Sequence, residues 1–306
     1  MSGESPRRAK LLAVAIVSVL FLVTLLFFFL AVAYHAKTAG IQPAEAQAEG
    51  VGEKRLLKFG KIPNVSPRKA YRLYSVFLEL VGENLDCCEL ELVLAKDYGS
   101  CVQMLANGEV DLAWLGTGSY VKSRGRVPMT PFARPIWEGR SSYRGIIFTV
   151  DDAGISSLEE LRGKRIAFVD RESASGYYYP ALMLRRAGFD LEKDFAAVDF
   201  LGSHDAVLMG VLLGEYDAGG VFERAYATLA DRSRRVRLRI LAQTEPIPGE
   251  PIVAGPNISA ATISELQHAF LSIPPEKLDQ VQLMDFFAFE PAVDADYNGV
   301  SILPAR

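Results

Sequence analysis

A run of small polar residues lies between a strand-like and a helix-like segment. The strand-like run "KRIAFVD" precedes "RESASG", and the helix-like run "YYYPALMLRRAG" follows it. The first N–H groups of a helix have no partner within the helix and lie at the positive end of its dipole. Together with those N–H groups, the hydroxyls of Ser173 and Ser175 and the flexible Gly176 predict a site for a phosphate-like anion. The alternative interpretation is an ordinary N-cap, a position where serine is common.

Two further strand-to-helix junctions carry polar side chains. The run "LGSHDAV" places Ser203 and His204 at the next junction, and "WLGTGSYV" in the first half of the chain contains Thr117, Ser119 and Tyr120. Ligands of open α/β sheets bind outside the carboxyl ends of the strands, so we expect these junctions to lie together. One ligand is therefore predicted to contact all three junctions, with His204 donating a hydrogen bond to an oxyanion.

Strand-like and helix-like runs alternate along the chain after the first 55 residues, which predicts an α/β fold with sheets rich in parallel strands. There are two such series, before and after about residue 150, and they predict two lobes. We assign residues 56–148 and 245–306 to the first lobe and residues 149–244 to the second. A crossing between the lobes is predicted in "TEPIPGEPIVAGP", whose four prolines favour an extended segment.

The composition limits the classes of function. The 306 residues carry a formal net charge of −4, so there is no overall attraction to nucleic acid. Cys87, Cys88 and Cys101 show no metal-type spacing with the histidines, and we expect buried thiols; a bridge from Cys101 to one of the other two is the alternative. No GxxxxGK[ST] run and no catalytic triad is apparent. Asp205 directly follows His204, so on a helix their side chains point about 100° apart. We predict a binding protein without cofactor or metal, not an enzyme.

The N-terminus has the pattern of a membrane anchor. Residues 1–10 contain a basic run, residues 11–34 are apolar and uncharged, and residues 35–55 are rich in Ala, Gly and small polar residues. The apolar run is longer than the roughly 7 to 15 residues of a signal-peptide core and long enough for a transmembrane helix. The basic charges place residues 1–10 in the cytoplasm and the tethered domain outside. Cleavage of a signal peptide after "AVA" is the alternative.

Several of these runs together resemble a known family. The run "VDRESASGYYYP", followed by "GSHDAVL" and "PIPGEPIV", is similar to the phosphate/phosphite/phosphonate-type periplasmic binding proteins of ABC transporters. The resemblance extends from about Lys58 to about Val300. It implies a periplasmic-binding-protein fold of type II, in which two α/β lobes are joined by two crossing strands and close on a ligand.

The ligand-binding turn of that family usually reads Ser-Thr-Ser-Gly, whereas this chain has Ala174 in place of the threonine. Either a backbone N–H donates to the ligand in place of the missing threonine hydroxyl, or the ligand preference differs. The resemblance and the junctions together give one set of predicted ligand contacts: Ser173, Ser175, Gly176, Tyr177, Ser203, His204 and Tyr120.

Two glutamates extend the resemblance to members that bind aminoalkyl phosphonates. Glu223 and Glu250 fall near the positions where those members place carboxylates for the ammonium group of the ligand. Carboxylates beside an anion site make sense when the ligand also bears a cation. The alternative is that both glutamates are solvated surface residues.

These features lead to one expected function and one alternative. We expect a membrane-anchored, extracytoplasmic solute-binding protein that captures a phosphonate, phosphite or phosphate and delivers it to an ABC permease. The alternative is a ligand-binding sensor component. Its signalling partner would be a separate protein, because the short cytoplasmic segment holds no signalling domain.

Overall fold

The structure is a computed structural model that describes residues 54–232, 238–281 and 288–300. The predicted basic segment 1–10 and membrane span 11–34 lie outside the described residues, as does the predicted tether up to residue 53. Among the residues that are described, none belongs to a helix of the length and apolar character that crossing a bilayer requires.

The first of two large sheets has six strands in the order β13-β4-β12-β3-β1-β2. β1 is parallel to both β2 and β3, whereas β12 is antiparallel to β3 and β4, and β13 is antiparallel to β4. The strand bounds are β1 Arg55–Lys61, β2 Cys88–Leu94, β3 Leu112–Trp114, β4 Thr130–Ile136, β12 Ile252–Ala254 and β13 Ala288–Pro291.

The second sheet has five strands in the order β10-β6-β9-β7-β8. β7 is parallel to β8 and β9, and β6 is antiparallel to β9 and β10. The strand bounds are β6 Gly145–Val150, β7 Arg165–Phe168, β8 Ala197–Phe200, β9 Ala218–Phe222 and β10 Leu238–Gln243. Two short strands, β5 (Ser142–Tyr143) and β11 (Ile247–Pro248), pair antiparallel where the chain passes between the sheets.

Eight α-helices of the described residues pack on these sheets. In chain order their bounds are α1 Pro67–Gly82, α2 Tyr98–Ala106, α3 Thr117–Ser123, α4 Tyr179–Arg186, α5 His204–Leu212, α6 Glu223–Arg232, α7 Ala260–Leu271 and α8 Pro275–Val281.

Helix α1 packs on the first sheet through apolar residues that recur at helical intervals in the sequence. Proline at its first position suits a helix start, and the apolar residues at three- and four-residue intervals are buried on one face. Phe77 of that face lies with its ring centroid 5.8 Å from Trp114 and 5.5 Å from Phe289. Burial of such an aromatic side chain contributes about 1.5–3 kcal/mol, and this cluster holds α1 against the first sheet.

The predicted α/β alternation is confirmed, but both sheets are mixed, not mainly parallel. Three strands of each sheet run parallel and the others join antiparallel. β6 begins at Gly145, before the predicted boundary at 149; the lobe boundaries themselves stay a prediction. Below, "first lobe" and "second lobe" mean the first and second sheets with their packed helices.

The alternation of elements along the sequence also predicts a helix in "SSLEELRG", residues 156–163, and this prediction was wrong. The structure has only a short 3-10 turn at Glu159–Leu161. The backbone N–H of Ser156 donates to the Glu160 carboxylate over 2.6 Å, and Gly163 adopts a positive φ of 73°. The side-chain bond and the left-handed glycine close the segment after one turn.

Candidate functional site

The serine-rich turn after β7 forms a single π-helical turn, Ala174–Tyr178. Ser173 caps it: its Oγ accepts the N–H of Gly176 over 3.0 Å, and its carbonyl accepts the N–H of Tyr178 over 3.0 Å. A Cβ at position 176 would lie 2.4 Å from Cγ2 of Val169, so only glycine fits. Single π-helical turns are frequent at functional sites because they redirect the backbone.

Both serines of this turn are buried beside tyrosine hydroxyls. Ser173 and Ser175 are 2% and 3% exposed. The hydroxyl of Ser175 is close enough to Tyr143 to lower the pKa of that phenol, although burial raises it far more. Ser173 lowers the pKa of Tyr98 in the same way, again against a larger effect of burial. Within the described residues the Tyr98 hydroxyl has no hydrogen-bond partner of good geometry.

The second junction places His204 at the start of α5. Ser203 caps the helix through its Oγ, which accepts the N–H of Ala206 over 3.2 Å. The imidazole is 3% exposed, and its Nδ1 accepts the N–H of Phe222 over 3.3 Å. Burial, with a contribution from Lys61, lowers the pKa of His204 to about 3. The ring is therefore neutral at physiological pH and carries its proton on Nε2.

The two junctions are joined through one residue. The N–H of Val169 donates to the carbonyl of Gly176 over 3.2 Å, and the carbonyl of Val169 accepts the N–H of Gly202 over 2.7 Å. The start of α5 also reaches the first lobe, because the N–H of His204 donates to the carbonyl of Asn64 over 3.2 Å. The serine turn and the histidine junction therefore lie together, as predicted from their positions after neighbouring strands.

Lys61 is the last residue of β1, and its side chain is fully buried. Its Nζ lies 4.9 Å from the ring centroid of Tyr74 and 5.0 Å from that of Trp114. Within the described chain this Nζ has no hydrogen-bond partner. Burial lowers the pKa of Lys61 to about 8, although Glu250 and Cys101 act to raise it.

Glu250 is partly buried in the segment that returns to the first lobe. Burial raises the pKa of its carboxyl group, and the charge of Lys61 lowers it in part. The Glu250 charge also raises the pKa values of Tyr74, Tyr98 and Tyr143. Burial is the larger cause of the raised pKa of each of these phenols.

Three ion pairs connect the two lobes around these residues. Lys69 of α1 contacts Asp205 of α5 at 3.0 Å, and Lys122 of α3 contacts Glu172 at 2.5 Å. Arg224 contacts Glu138 at 3.1 Å. Such partly exposed pairs contribute little stability each, about 0–1 kcal/mol, but they bring the junctions of both lobes face to face.

With this geometry in view, the family can be assigned. The family model described as "ABC transporter, phosphonate, periplasmic substrate-binding protein" matches residues 59–297. The chain belongs to this family. Membership supports an extracytoplasmic location for the described domain and a role in substrate binding for an ABC transporter.

Named relatives agree with the family assignment. The phosphate-import protein PhnD of Mycolicibacterium smegmatis is 28% identical over 283 residues, covering 85% of this chain and 87% of that protein. The phosphonates-binding periplasmic protein of Escherichia coli is 23% identical over 263 residues, covering 83% and 76%. The structure of PhnD1 from Prochlorococcus marinus in complex with methylphosphonate superposes with a TM-score of 0.72 at 21% identity, covering 80% and 95%. This last likeness shows the periplasmic-binding-protein fold.

The hydroxyl of Tyr120, which the resemblance to this phosphonate-binding family had placed in the cleft, is bonded to another part of the chain. This hydroxyl donates to Asp294 over 2.6 Å, and the Tyr120 ring packs on Tyr297 with centroids 4.8 Å apart. Arg124 pairs with the same Asp294 carboxylate at 3.1 Å. The Tyr120 hydroxyl is thus bonded to the C-terminal turn of the described chain and not to the serine junctions.

Glu223 also departs from the role suggested for it. One carboxylate oxygen accepts the N–H of Arg144 over 3.2 Å, and the other accepts the side-chain N–H of Gln243 over 3.0 Å. Arg144 and Gln243 lie at the two crossings between the lobes. The carboxylate therefore binds the crossing segments, whereas Glu250 lies beside Lys61.

Tyr177 occupies the outer face of the second lobe. Its ring lies 5.3 Å from that of Phe168 and 4.9 Å from that of Phe200, and it lines a surface cavity together with Arg171 and Arg185. The neighbouring Tyr178 and Tyr179 are buried toward the core of the first lobe. Successive residues of a helical turn point in different directions, and the Tyr177 ring faces Phe168 and Phe200.

The cysteines form no disulfide in the structure. The Sγ atoms of Cys87 and Cys88 lie 2.9 Å apart as thiols, and Cys101 is buried as a free thiol. Burial raises the pKa of Cys101 to about 12, so it stays neutral. In the described part of the chain, no cluster of His, Cys, Asp or Glu has the arrangement of a metal site.

Lys61 was not among the predicted site residues. The available signal was a lysine at the end of the strand-like run "LLKFGKI", close to the carboxyl end of a parallel strand. Its burial depends on Tyr74 and Trp114, which come from α1 and β3.

Proposed function

We propose that this chain captures a phosphorus oxyanion between its two lobes and delivers it to an ABC permease. One observation carries the proposal. Backbone hydrogen bonds of Val169 hold the two serine-containing turns side by side, and the neutral imidazole of His204 lies at the second of them. Because Nδ1 accepts from Phe222, the remaining N–H on Nε2 is available to an oxyanion.

The ligand class follows from the family together with these donors. The named relatives are described as binding or importing phosphate or phosphonates, and one is a complex with methylphosphonate. Ser173, Ser175, Ser203 and His204 are the proposed donors in this chain. The Gly176 N–H already donates to Ser173 Oγ, so Gly176 is proposed to contribute only a close approach of its backbone. Hydroxyl and N–H donors in a site closed to water form the stronger, charge-assisted hydrogen bonds that a tetrahedral oxyanion accepts.

Binding is proposed to proceed by closure of the lobes. An oxyanion that contacts donors of both lobes binds the closed state more tightly and so increases its population. The ion pairs Lys69–Asp205 and Lys122–Glu172 join elements of the two lobes, and we expect them to stabilise the closed state. A permease that recognises the closed form would receive only loaded protein.

Anchoring to the membrane is part of the proposal and rests on the sequence. Residues 11–34 are uncharged and apolar and follow basic residues, which supports a single-pass anchor with the binding domain outside the cytoplasm. The sensor alternative gains no support from the matched family, which is described by ABC transport.

Isothermal calorimetry on the full-length chain tests this function. The ligands are phosphate, phosphite, methylphosphonate and 2-aminoethylphosphonate. We expect tight binding of at least one of them and a loss of affinity in Ser175→Ala, a residue buried at the serine turn. A folded protein that binds none of the four would overturn the proposed function.

A further inference from the structure

The ammonium group of Lys61 has no adequate partner among the described residues. It is fully buried at the end of β1 and makes no hydrogen bond. An isolated buried charge is costly, and cation–π contacts such as those to Tyr74 and Trp114 offset only about 2 kcal/mol. An anion bound beside the ammonium group would remove most of this cost.

Lys61 lies in the same region as the proposed anion donors. Its Nζ lies over the ring of Tyr74, whose hydroxyl bonds to the side chain of Asn64, and the Asn64 carbonyl accepts the N–H of His204. Its other ring contact, Trp114, pairs in the sheet with Ile252, two residues after Glu250.

Burial has the larger effect on the pKa values of His204 and Glu250, and the Lys61 charge lowers both. The imidazole of His204 is neutral, so Lys61 is the positive charge that this group of residues brings to an oxyanion. It stands where β1 ends, which is the edge of the sheet at which ligands of α/β proteins bind.

We propose that Lys61 binds the oxyanion and, by balancing Glu250, selects phosphorus oxyanions that carry no ammonium group. This inference rests on the proposed function and extends it to the class of ligand. It opposes the interpretation of Glu250 as a partner for an ammonium group of the ligand.

The charges explain the selection. Glu250 alone would attract a cation into a region where the buried side chains of Tyr74 and Trp114 leave little water. With Lys61 close by, the ammonium group of a ligand is repelled by one charge and attracted by the other, so it adds little to the binding free energy. A ligand without an ammonium group meets only the donors and Lys61.

Glu250 keeps a role under this inference. Its carboxylate favours the charged form of Lys61, because it raises a pKa that burial lowers to about 8. No direct ion pair joins the two side chains within the described residues, so the three N–H donors of Lys61 are not used by Glu250. The carboxylate thus keeps the ammonium charged without occupying it.

Lys61→Met is the direct test, since methionine has similar length and is apolar like the surrounding rings. The measurement is calorimetry of full-length wild type and variant with methylphosphonate and 2-aminoethylphosphonate. We expect wild type to prefer methylphosphonate by at least about 10-fold. In Lys61→Met the affinity for methylphosphonate should fall about 10- to 100-fold, and the preference should shift toward 2-aminoethylphosphonate.

Two further variants make the test specific. Lys58→Met removes an exposed lysine from the same strand and should leave both affinities unchanged. Glu250→Gln removes the carboxylate that favours the charged form of Lys61, so its methylphosphonate affinity should begin to decline at a lower pH than that of wild type. This variant should give no gain with 2-aminoethylphosphonate, and it keeps the inference testable if Lys61→Met does not fold. Thermal denaturation verifies folding of each variant before titration.

The outcomes separate this inference from the proposed function. Wild type that binds neither ligand nor phosphate or phosphite overturns the proposed function. Wild type that binds methylphosphonate, with Lys61→Met folded and unchanged in affinity and preference, overturns only the role of Lys61. Tighter binding of 2-aminoethylphosphonate by wild type, lost in Glu250→Gln, overturns the selection and restores an ammonium site at Glu250.

Discussion

The imidazole of His204 accepts the backbone N–H of Phe222 at Nδ1, over 3.3 Å. This bond from β9 determines which nitrogen of a residue at the start of α5 remains for a ligand. Because burial lowers the pKa of His204 to about 3, the ring is neutral and Nε2 carries the proton. The same ring thus has a structural role through Nδ1 and a proposed binding role through Nε2.

Two substitutions of His204 separate these roles. Asparagine places an amide oxygen near Nδ1 and removes the outer donor, so His204→Asn should lower oxyanion affinity about 10- to 100-fold and keep the fold stable. Glutamine places an amide N–H near Nε2 and leaves the Phe222 N–H unpaired. His204→Gln should therefore lose less affinity but about 1–3 kcal/mol of unfolding free energy. Calorimetry and denaturant unfolding measure both; equal behaviour of the two variants would refute the assignment of the nitrogens.

Acid should destabilise the protein through the same residue. The folded-state pKa of His204, about 3, lies below its unfolded value near 6.5, so the unfolded state binds more protons between these pH values. Stability is therefore lost as pH falls from about 6.5 to about 3, by at most about 5 kcal/mol from this residue.

Unfolding free energies of wild type and His204→Asn, measured across that pH range, isolate this loss. Carboxyl groups titrate alike in both proteins and cancel in the difference. We expect the variant to lose less stability in acid than wild type. Parallel curves would show that His204 is not buried in its neutral form.

Oxyanion affinity should fall at high pH through Lys61. Burial lowers its pKa to about 8, with Glu250 and Cys101 acting upward, and the neutral His204 and the phenol of Tyr74 add no charge at that pH. A bound anion favours the protonated amine, so affinity should decline above about pH 8.

The comparison with Lys61→Met removes the contribution of the ligand's own titration. Calorimetry with methylphosphonate from about pH 6.5 to about pH 10 should show a declining affinity for wild type relative to the variant. A constant ratio of the two affinities over that range would contradict a role for the ammonium group in binding.

Closure of the lobes should depend on the absence of a side chain at Gly118. A Cβ there would lie 2.3 Å from the carbonyl of Glu172 and 2.8 Å from the ring of Tyr178, both in the second lobe. Gly118→Ala must therefore displace the lobes, at a cost of about 1–3 kcal/mol, and lower affinity about 5- to 100-fold.

Gly125→Ala is the matched control, because nothing lies within 4 Å of a Cβ at that position. Calorimetry gives the affinities, and small-angle scattering with and without methylphosphonate gives the change in radius. Unaltered affinity and compaction in Gly118→Ala would mean that this contact does not limit closure.

The sequence predicted those parts of the candidate site that depend only on the order of strands and helices. The N-cap that was the alternative interpretation of the serine turn is present at Ser173, and the anion site there stays a prediction. The position of His204 after the next strand predicted that it lies near this turn. These predictions need only the order of elements, because the carboxyl ends of neighbouring parallel strands meet.

Features that depend on tertiary packing were missed. β4 was not predicted, since Pro131 and Pro135 argue against a strand, yet it pairs with β12 through a register shift next to Pro131. Lys58 and Lys61 lie three residues apart in β1, and the first is exposed whereas the second is buried. Successive side chains of a strand alternate between faces, but only the packed sheet determines which face is buried.

The most direct measurement is a crystal structure of the protein with methylphosphonate or phosphate bound. We expect the phosphorus group within hydrogen-bond distance of His204 Nε2 and the Ser175 hydroxyl, with Lys61 Nζ as the cationic contact. An anion bound away from the two junctions, with His204 Nε2 facing only protein atoms, would contradict the proposed site.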